Sequence, residues 1–185
     1  MSDRRLRFVR PEDAAAILSI YDPIVRETSI SFEMEVPDEE EIQRRIAAVT
    51  AHYPWIVCES EGRVLGYAYA TAYRARAAYR WTAESSVYVH ADARGRGVAR
   101  ELMGSLIDLL RTLGYRTLVA GLTLPNEASE RLHESLGFSP AGTVPRAGRK
   151  FGSWHDVFFC SLDLGAIDGE TPPRSVDVLE GRLPG

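Results

Sequence analysis

The chain has 185 residues, 45% of them hydrophobic and 26% charged, with a formal net charge of -4. At roughly 100–200 residues per domain this is one globular domain with a sizeable core, and the composition excludes a disordered or disulfide-built chain. No apolar run approaches the ~18 residues of a membrane span, and the polar start Met1-Ser2-Asp3-Arg4-Arg5 differs from a signal peptide, so a cytoplasmic location is the default. The negative balance argues against nucleic acid as partner, since phosphate contacts need a basic surface. Among the 22 basic residues, however, only Lys150 is a lysine, so the placing of the arginines, which grip phosphates and carboxylates in bidentate fashion, carries more information than their sum.

The apolar periodicity predicts the elements in turn. Residues 6–10 alternate as a first strand, and Pro11-Glu12-Asp13 opens a helix with Ile17, Ile20, Tyr21 and Ile24 on its apolar stripe. A linking segment, 27–32, leads through Pro37 to the acidic start of a second helix, which runs through Ile42, Ile46 and Val49. Strands follow at 55–60, at 64–70 after the turn Glu61-Gly62, and at 82–90. Val98, Leu102, Leu106, Leu109 and Leu113 mark a strong helix closed by Gly114. A strand at 116–122, a helix at 126–136 with Asn126 as its N-cap, and strands at 138–144 and 154–162 complete the order. Residues 165–185, rich in Gly and Pro, read as a loosely held tail beyond a domain of residues 1–164. The order β-α-α-β-β-β-α-β-α-β-β predicts a mixed α/β sheet covered by helices. Cys58 and Cys160 sit in apolar runs without metal-ligand spacing and read as small buried side chains; no metal is expected.

Chemistry concentrates in Val87-Tyr88-Val89-His90-Ala91-Asp92-Ala93-Arg94-Gly95-Arg96-Gly97-Val98-Ala99-Arg100, where a strand feeds through an Arg/Gly loop into the long helix. Glycines permit close backbone approach, and the free N–H groups of the helix start attract an anion. Arg94, Arg96 and Arg100 add positive charge, so the expected ligand is a phosphate or pyrophosphate. A dinucleotide fingerprint fails because Arg100 stands where its last glycine belongs, and no G-K-[ST] of a P-loop is present.

Arg94, Gly97 and Ala99 match R-x-x-G-x-A, which resembles the pyrophosphate loop of the GNAT N-acetyltransferase superfamily; Asn126-Glu127-Ala128-Ser129-Glu130-Arg131-Leu132-His133-Glu134-Ser135-Leu136-Gly137-Phe138 resembles its second signature. Tyr53-Pro54-Trp55, Arg74-Ala75-Arg76 with Tyr79, Trp81-Thr82-Ala83-Glu84-Ser85-Ser86, Leu124-Pro125-Asn126 and Gly148-Arg149-Lys150-Phe151-Gly152-Ser153-Trp154-His155-Asp156 narrow the resemblance to the phosphinothricin N-acetyltransferases, a group that includes methionine sulfoximine and methionine sulfone acetyltransferases. It covers residues 6–164. Ala99 stands where many members have Gly, and Arg74 where some relatives have Lys.

The resemblance implies the GNAT fold, a mostly antiparallel mixed sheet flanked by helices, and acetyl-CoA as co-substrate. It places the coenzyme on Val87, Tyr88, Val89, Arg94, Gly95, Arg96, Gly97, Val98, Ala99, Asn126 and Ser135. Glu84 is then the expected general base, its pKa raised by partial burial, with a structural ion pair to an arginine as the alternative. His133 is expected either to protonate the departing thiolate, to relay the amine proton, or to position substrate. The acceptor, a small amino-acid-like anion, calls for cationic and phenolic donors, met by Arg74, Arg76 and Tyr79 beside Glu84 with Phe32 as apolar wall. A homodimer is implied as well. Another amine acceptor, a protein N-terminus, or a non-catalytic acyl-CoA-binding module stay open, and Gly152-Ser153-Trp154-His155-Asp156 has no assigned chemical role.

Overall fold

The computed structural model describes residues 4–165, 170–179 and 181. Its elements, in chain order, are β1 (Arg4–Phe8), α1 (Ala14–Glu27), α2 (Glu39–Thr50), β2 (Trp55–Ser60), β3 (Arg63–Ala72), β4 (Thr82–Val89), α3 (Val98–Leu113), β5 (Thr117–Thr123), α4 (Glu127–Ser135), β6 (Ser139–Lys150) and β7 (Ser153–Asp163). This is the order expected from the periodicity. β6 runs six residues further than the alternation suggested, because the Pro145-Arg146-Ala147 interruption is absorbed as an irregularity between Val144 and Gly148 rather than ending the strand.

The seven strands form one sheet in the order β1-β2-β3-β4-β5-β7-β6. All neighbours are antiparallel except β4 and β5, which are parallel and pair only from Thr82–Glu84 to Thr117–Val119. Beyond Glu84 the two strands part. Alternation along β2 shows how the sheet serves two cores: Ile56 and Cys58 face the α3 side, whereas Trp55 and Val57 face α1 and α2. Small residues on the α3 side, Ala68, Ala70, Ala83 and Ala120, let the Leu-rich helix lie close against the strands. Gly114, with φ 87°, ends α3 in the left-handed conformation that favours glycine. Cys58 and Cys160 are buried, and desolvation pushes both thiols up to about 11, so neither is a nucleophile near neutral pH.

The tail departs from expectation. Within its described part Leu179 is 1% exposed and belongs to the α3 core, the Arg174 amide donates to the Leu113 carbonyl at 2.8 Å, and Trp81 Nε1 donates to the Thr171 carbonyl at 2.9 Å. Gly and Pro content pointed to a loose tail, but the apolar Val176 and Leu179 find uncovered core to dock on. Among the described residues no helix is long and apolar enough to cross a membrane.

Candidate active site

The parting of β4 from β5 creates the site. Residues 85–89 of β4 lose their ladder partner on the β5 side, so their backbone groups there are available to a ligand. A cavity of about 640 Å³ occupies the gap, with Ser85 to Val89 on one wall, Ala120 to Thr123 on the other, and α4 across from the loop that starts α3. At its loop end Gly95 and Gly97 take φ values of 71° and 82°, which turn the chain sharply into α3. The first turn of α3 receives no side-chain cap, whereas α2 and α4 are capped by Asp38 and Asn126. Its first-turn N–H groups and positive dipole end are thus left for an external anion. Arg94, Arg100 and Arg131 line the same cavity, a donor set that fits a pyrophosphate at the loop and an extended polar arm along β4.

Of the residues expected at the coenzyme, Val87, Tyr88, Val89, Arg94, Gly95, Gly97, Val98, Ala99 and Asn126 line this cavity. Arg96 and Ser135 do not. Arg96 precedes the left-handed Gly97, and its carbonyl instead receives a 2.7 Å bond from Arg4. Ser135 Oγ accepts from Arg100 at 2.6 Å and donates to the Leu132 carbonyl at 2.7 Å, so it holds Arg100 rather than the ligand. Arg131, Ser129, Thr123 and Ile30 are lining residues that the motifs did not single out.

A second cavity of about 390 Å³ adjoins the first, and the two share Ile30, Gly121 and Thr123. Glu84 and Phe32 line it together with Val144, Ala147, Val157 and Phe159. The Glu84 carboxylate is half-buried with no hydrogen bond or ion pair from any described residue, which removes the structural-ion-pair alternative. Burial raises its pKa, and the nearby positive charge of Arg74 partly offsets the rise.

The cationic pocket expected from Arg74, Arg76 and Tyr79 is not assembled. All three are exposed and none lines either cavity. Their segment is organised by its own contacts: Tyr73 and Tyr79 meet edge to face at 5.7 Å, and the Arg74 guanidinium lies over the Tyr73 ring.

His133 is buried and lines the larger cavity, while Leu132 and Leu136, on the neighbouring face of α4, pack against the α3 core. Both leucines are half-buried, and the stripe of Asn126, Ser129 and His133 faces the cavity. The ring sits edge-on to Phe138 at 4.9 Å, and Nδ1 lies 2.8 Å from the Ser129 carbonyl. A ring nitrogen facing a carbonyl must carry the proton, so Nε2 is the acceptor. Desolvation lowers the pKa, with the bond to Ser129 opposing, so the imidazole is neutral at neutral pH.

Residues 6–159 match the model of the acetyltransferase (GNAT) domain family. The chain is 43% identical over 169 residues to phosphinothricin N-acetyltransferase of Alcaligenes faecalis, covering 90% of this chain and 86% of that protein. It is 39% identical over 163 residues to the L-methionine sulfoximine/L-methionine sulfone acetyltransferase of Salmonella typhimurium, covering 86% and 94%. Among solved structures, a GNAT superfamily phosphinothricin acetyltransferase from Sinorhizobium meliloti in complex with AcCoA superposes with a TM-score of 0.87 at 34% identity, covering 93% of this chain and 94% of that one.

Proposed function

Because the chain belongs to the GNAT acetyltransferase family, we propose that it moves the acetyl group of acetyl-CoA to the α-amino group of a phosphinothricin-like amino acid, such as phosphinothricin, methionine sulfoximine or methionine sulfone. The observation that carries the reading is the junction of two cavities at Ile30, Gly121 and Thr123, with an unpaired carboxylate, Glu84, on the acceptor side. A thioester carbonyl lying along β4 and an amine entering past Phe32 would meet there.

In this reading Glu84 takes the proton of the acceptor ammonium, directly or through a water, and its pKa, raised by burial, makes it a stronger base than an exposed carboxylate. The free amine attacks the thioester carbonyl, with the backbone N–H groups near Tyr88 and Val89 offered to the oxygen on which charge develops; as the C–S bond breaks in favour of the new N–C bond, the nitrogen's second proton passes to the departing thiolate by way of His133 Nε2 or a water, leaving CoA as the free thiol. His133, neutral and holding its proton on the Ser129 side, offers Nε2 as an acceptor; the geometry favours positioning or proton relay over protonation of the thiolate. The acceptor's carboxylate falls to Arg74, whose charge already reaches Glu84, while Arg76 and Tyr79 reach it only if their segment shifts on binding.

We assign this reaction to the cytoplasm, where acetyl-CoA is made, and to a homodimer. β6 is an edge strand exposed along nearly its whole length, with Val144, Phe151 and Trp154 as large exposed apolar side chains on its hairpin with β7. Light scattering on the purified protein tests the dimer. Acetylation of phosphinothricin would confer resistance to it as a herbicide.

The deciding assay follows free thiol from acetyl-CoA with phosphinothricin, methionine sulfoximine, methionine sulfone, ordinary amino acids and an aminoglycoside. Turnover is expected with the first three. Tight coenzyme binding without turnover of any amine would leave a binding module instead.

A further inference from the structure

The segment between α1 and α2 contributes Ile30 and Phe32 to the cavities, yet it has no regular structure of its own. Its shape has to be imposed from outside. Between the two lining side chains, Ser31 is turned inward and 7% exposed. From α1, the Tyr21 hydroxyl meets Ser31 Oγ at 2.7 Å; from β6, Lys150 Nζ donates to the Ser31 carbonyl at 2.6 Å. Lys150 is 2% exposed, an unusual place for an ammonium group, and among the described residues it makes no ion pair; the Phe151 ring lies 5.1 Å away, and the Glu33 carboxylate is near enough for its charge to favour the ammonium. Two residues earlier on the same strand, Gly148 carries the Phe32 ring. A side-chain carbon there would fall 2.3 Å from Phe32 Cε2, so the ring can rest on β6 only because that position is glycine.

We infer that Lys150 is a positioning residue for acceptor binding: its bond to the Ser31 carbonyl, with Gly148 as the seat for the ring, fixes Phe32 as the wall of the cavity opposite Glu84. This assigns a task to the Gly148-Arg149-Lys150 motif and rests on the acetyltransferase reading above. The identity of the side chain fits. A compact ammonium has donors enough for one buried carbonyl, whereas an arginine fork would bring five N–H groups into a place that supplies few acceptors.

The test is Lys150→Met, which keeps the length of the side chain and removes the donor. The acceptor KM should rise on the order of tenfold, as expected when a positioning contact is lost, with the acetyl-CoA KM changed less than about twofold. Hydrogen exchange gives a readout that needs no acceptor: amides of residues 28–34 should exchange at least about tenfold faster in the variant, and those of α3 should not. Lys150→Arg should fail to restore the wild-type acceptor KM. Gly148→Ala displaces Phe32 while leaving Lys150 in place, so it should also raise the acceptor KM selectively; if Lys150→Met does not fold, the same KM and exchange readings on Lys150→Arg decide the matter. An unchanged acceptor KM in a folded variant, equal rises for both substrates, or unaltered exchange at 28–34 would each overturn the inference. If the wild-type protein turns over no amine, the acetylation reading fails on its own, and the exchange comparison still decides whether Lys150 holds the wall.

Discussion

Glu84 Oε1 lies 3.7 Å from the point where a side-chain carbon on Gly121 would stand, across the strip of β5 that both cavities share. Gly121 lines both cavities, so a side chain there would stand beside the carboxylate where they adjoin. A methyl at that point would also press on Phe159 at 3.1 Å, a contact that requires the ring to give. Gly121→Val is expected to lower kcat by at least about tenfold, since displacement of reacting groups by an ångström is costly. Acetyl-CoA affinity, measured by calorimetry, should fall far less, because the pyrophosphate end of the cavity is untouched. Equal losses in affinity and kcat would mean that Gly121 serves coenzyme binding alone.

Replacing Glu84 by Gln should separate activity from stability. If Glu84 is the base, kcat falls by about 10²–10³-fold and the acid limb of the pH profile, set by the raised pKa, disappears. Stability should move the other way. A carboxylate whose folded pKa exceeds its unfolded one contributes stability that is complete below the unfolded pKa and is lost as pH rises through the folded pKa, because the charged form is penalised by burial. At pH 7 the neutral amide escapes that penalty, so Glu84→Gln should melt higher than the parent there, with the gap closing toward pH 4. Paired activity and melting curves across pH check both signs.

The arginines of the loop are not equivalent. Arg100 lines the coenzyme cavity and is oriented by Ser135, while Arg96 lies outside it. Arg100→Ala is expected to weaken acetyl-CoA binding by about tenfold, the order of one charge-assisted contact, and to reduce its salt dependence. Arg96→Ala should leave the affinity within about twofold. Ser135→Ala tests the intermediary: a modest loss, absent in the Arg100→Ala background, would show that Ser135 acts through that guanidinium.

How much of this was legible beforehand follows from where each feature is encoded. The element order lies in contiguous sequence, where apolar period and glycine placement act over a few residues, and stands as expected; of the Arg/Gly loop, Arg94, Gly95 and Gly97 line the larger cavity. The second cavity is different: Glu84, Gly121 and Phe159 come together through the strand order β4-β5-β7, and Phe32, from the segment between α1 and α2, joins them by resting on Gly148 of β6, none of which a local pattern specifies. Gly121 carried no signal at all, since its role is an absence of side chain. Arg74, Arg76 and Tyr79 have the chemistry suited to an anionic acceptor, but all three are exposed, Arg74 and Tyr79 packing on Tyr73 rather than lining either cavity. Arg96 was chosen by proximity to the glycines, but the left-handed turn at Gly97 separates neighbours in sequence into different directions.

The docked tail yields a last expectation, in which stability and activity part company. Leu179 is buried against the core that α3 builds, and Arg174 extends the attachment through the Leu113 carbonyl at the end of that helix. Burying a leucine in a core and truncating it to alanine ordinarily costs about 2–5 kcal/mol. Here the loss has a ceiling, because residues 170–179 can undock as a unit once their attachment costs more than it returns. Leu179→Ala and removal of residues 166–185 should therefore destabilise the protein to similar extents in urea titrations, near the lower end of that range. Neither should change kcat, since no described tail residue lines either cavity. A truncation much more destabilising than Leu179→Ala would show that the tail holds α3 through contacts beyond this one side chain.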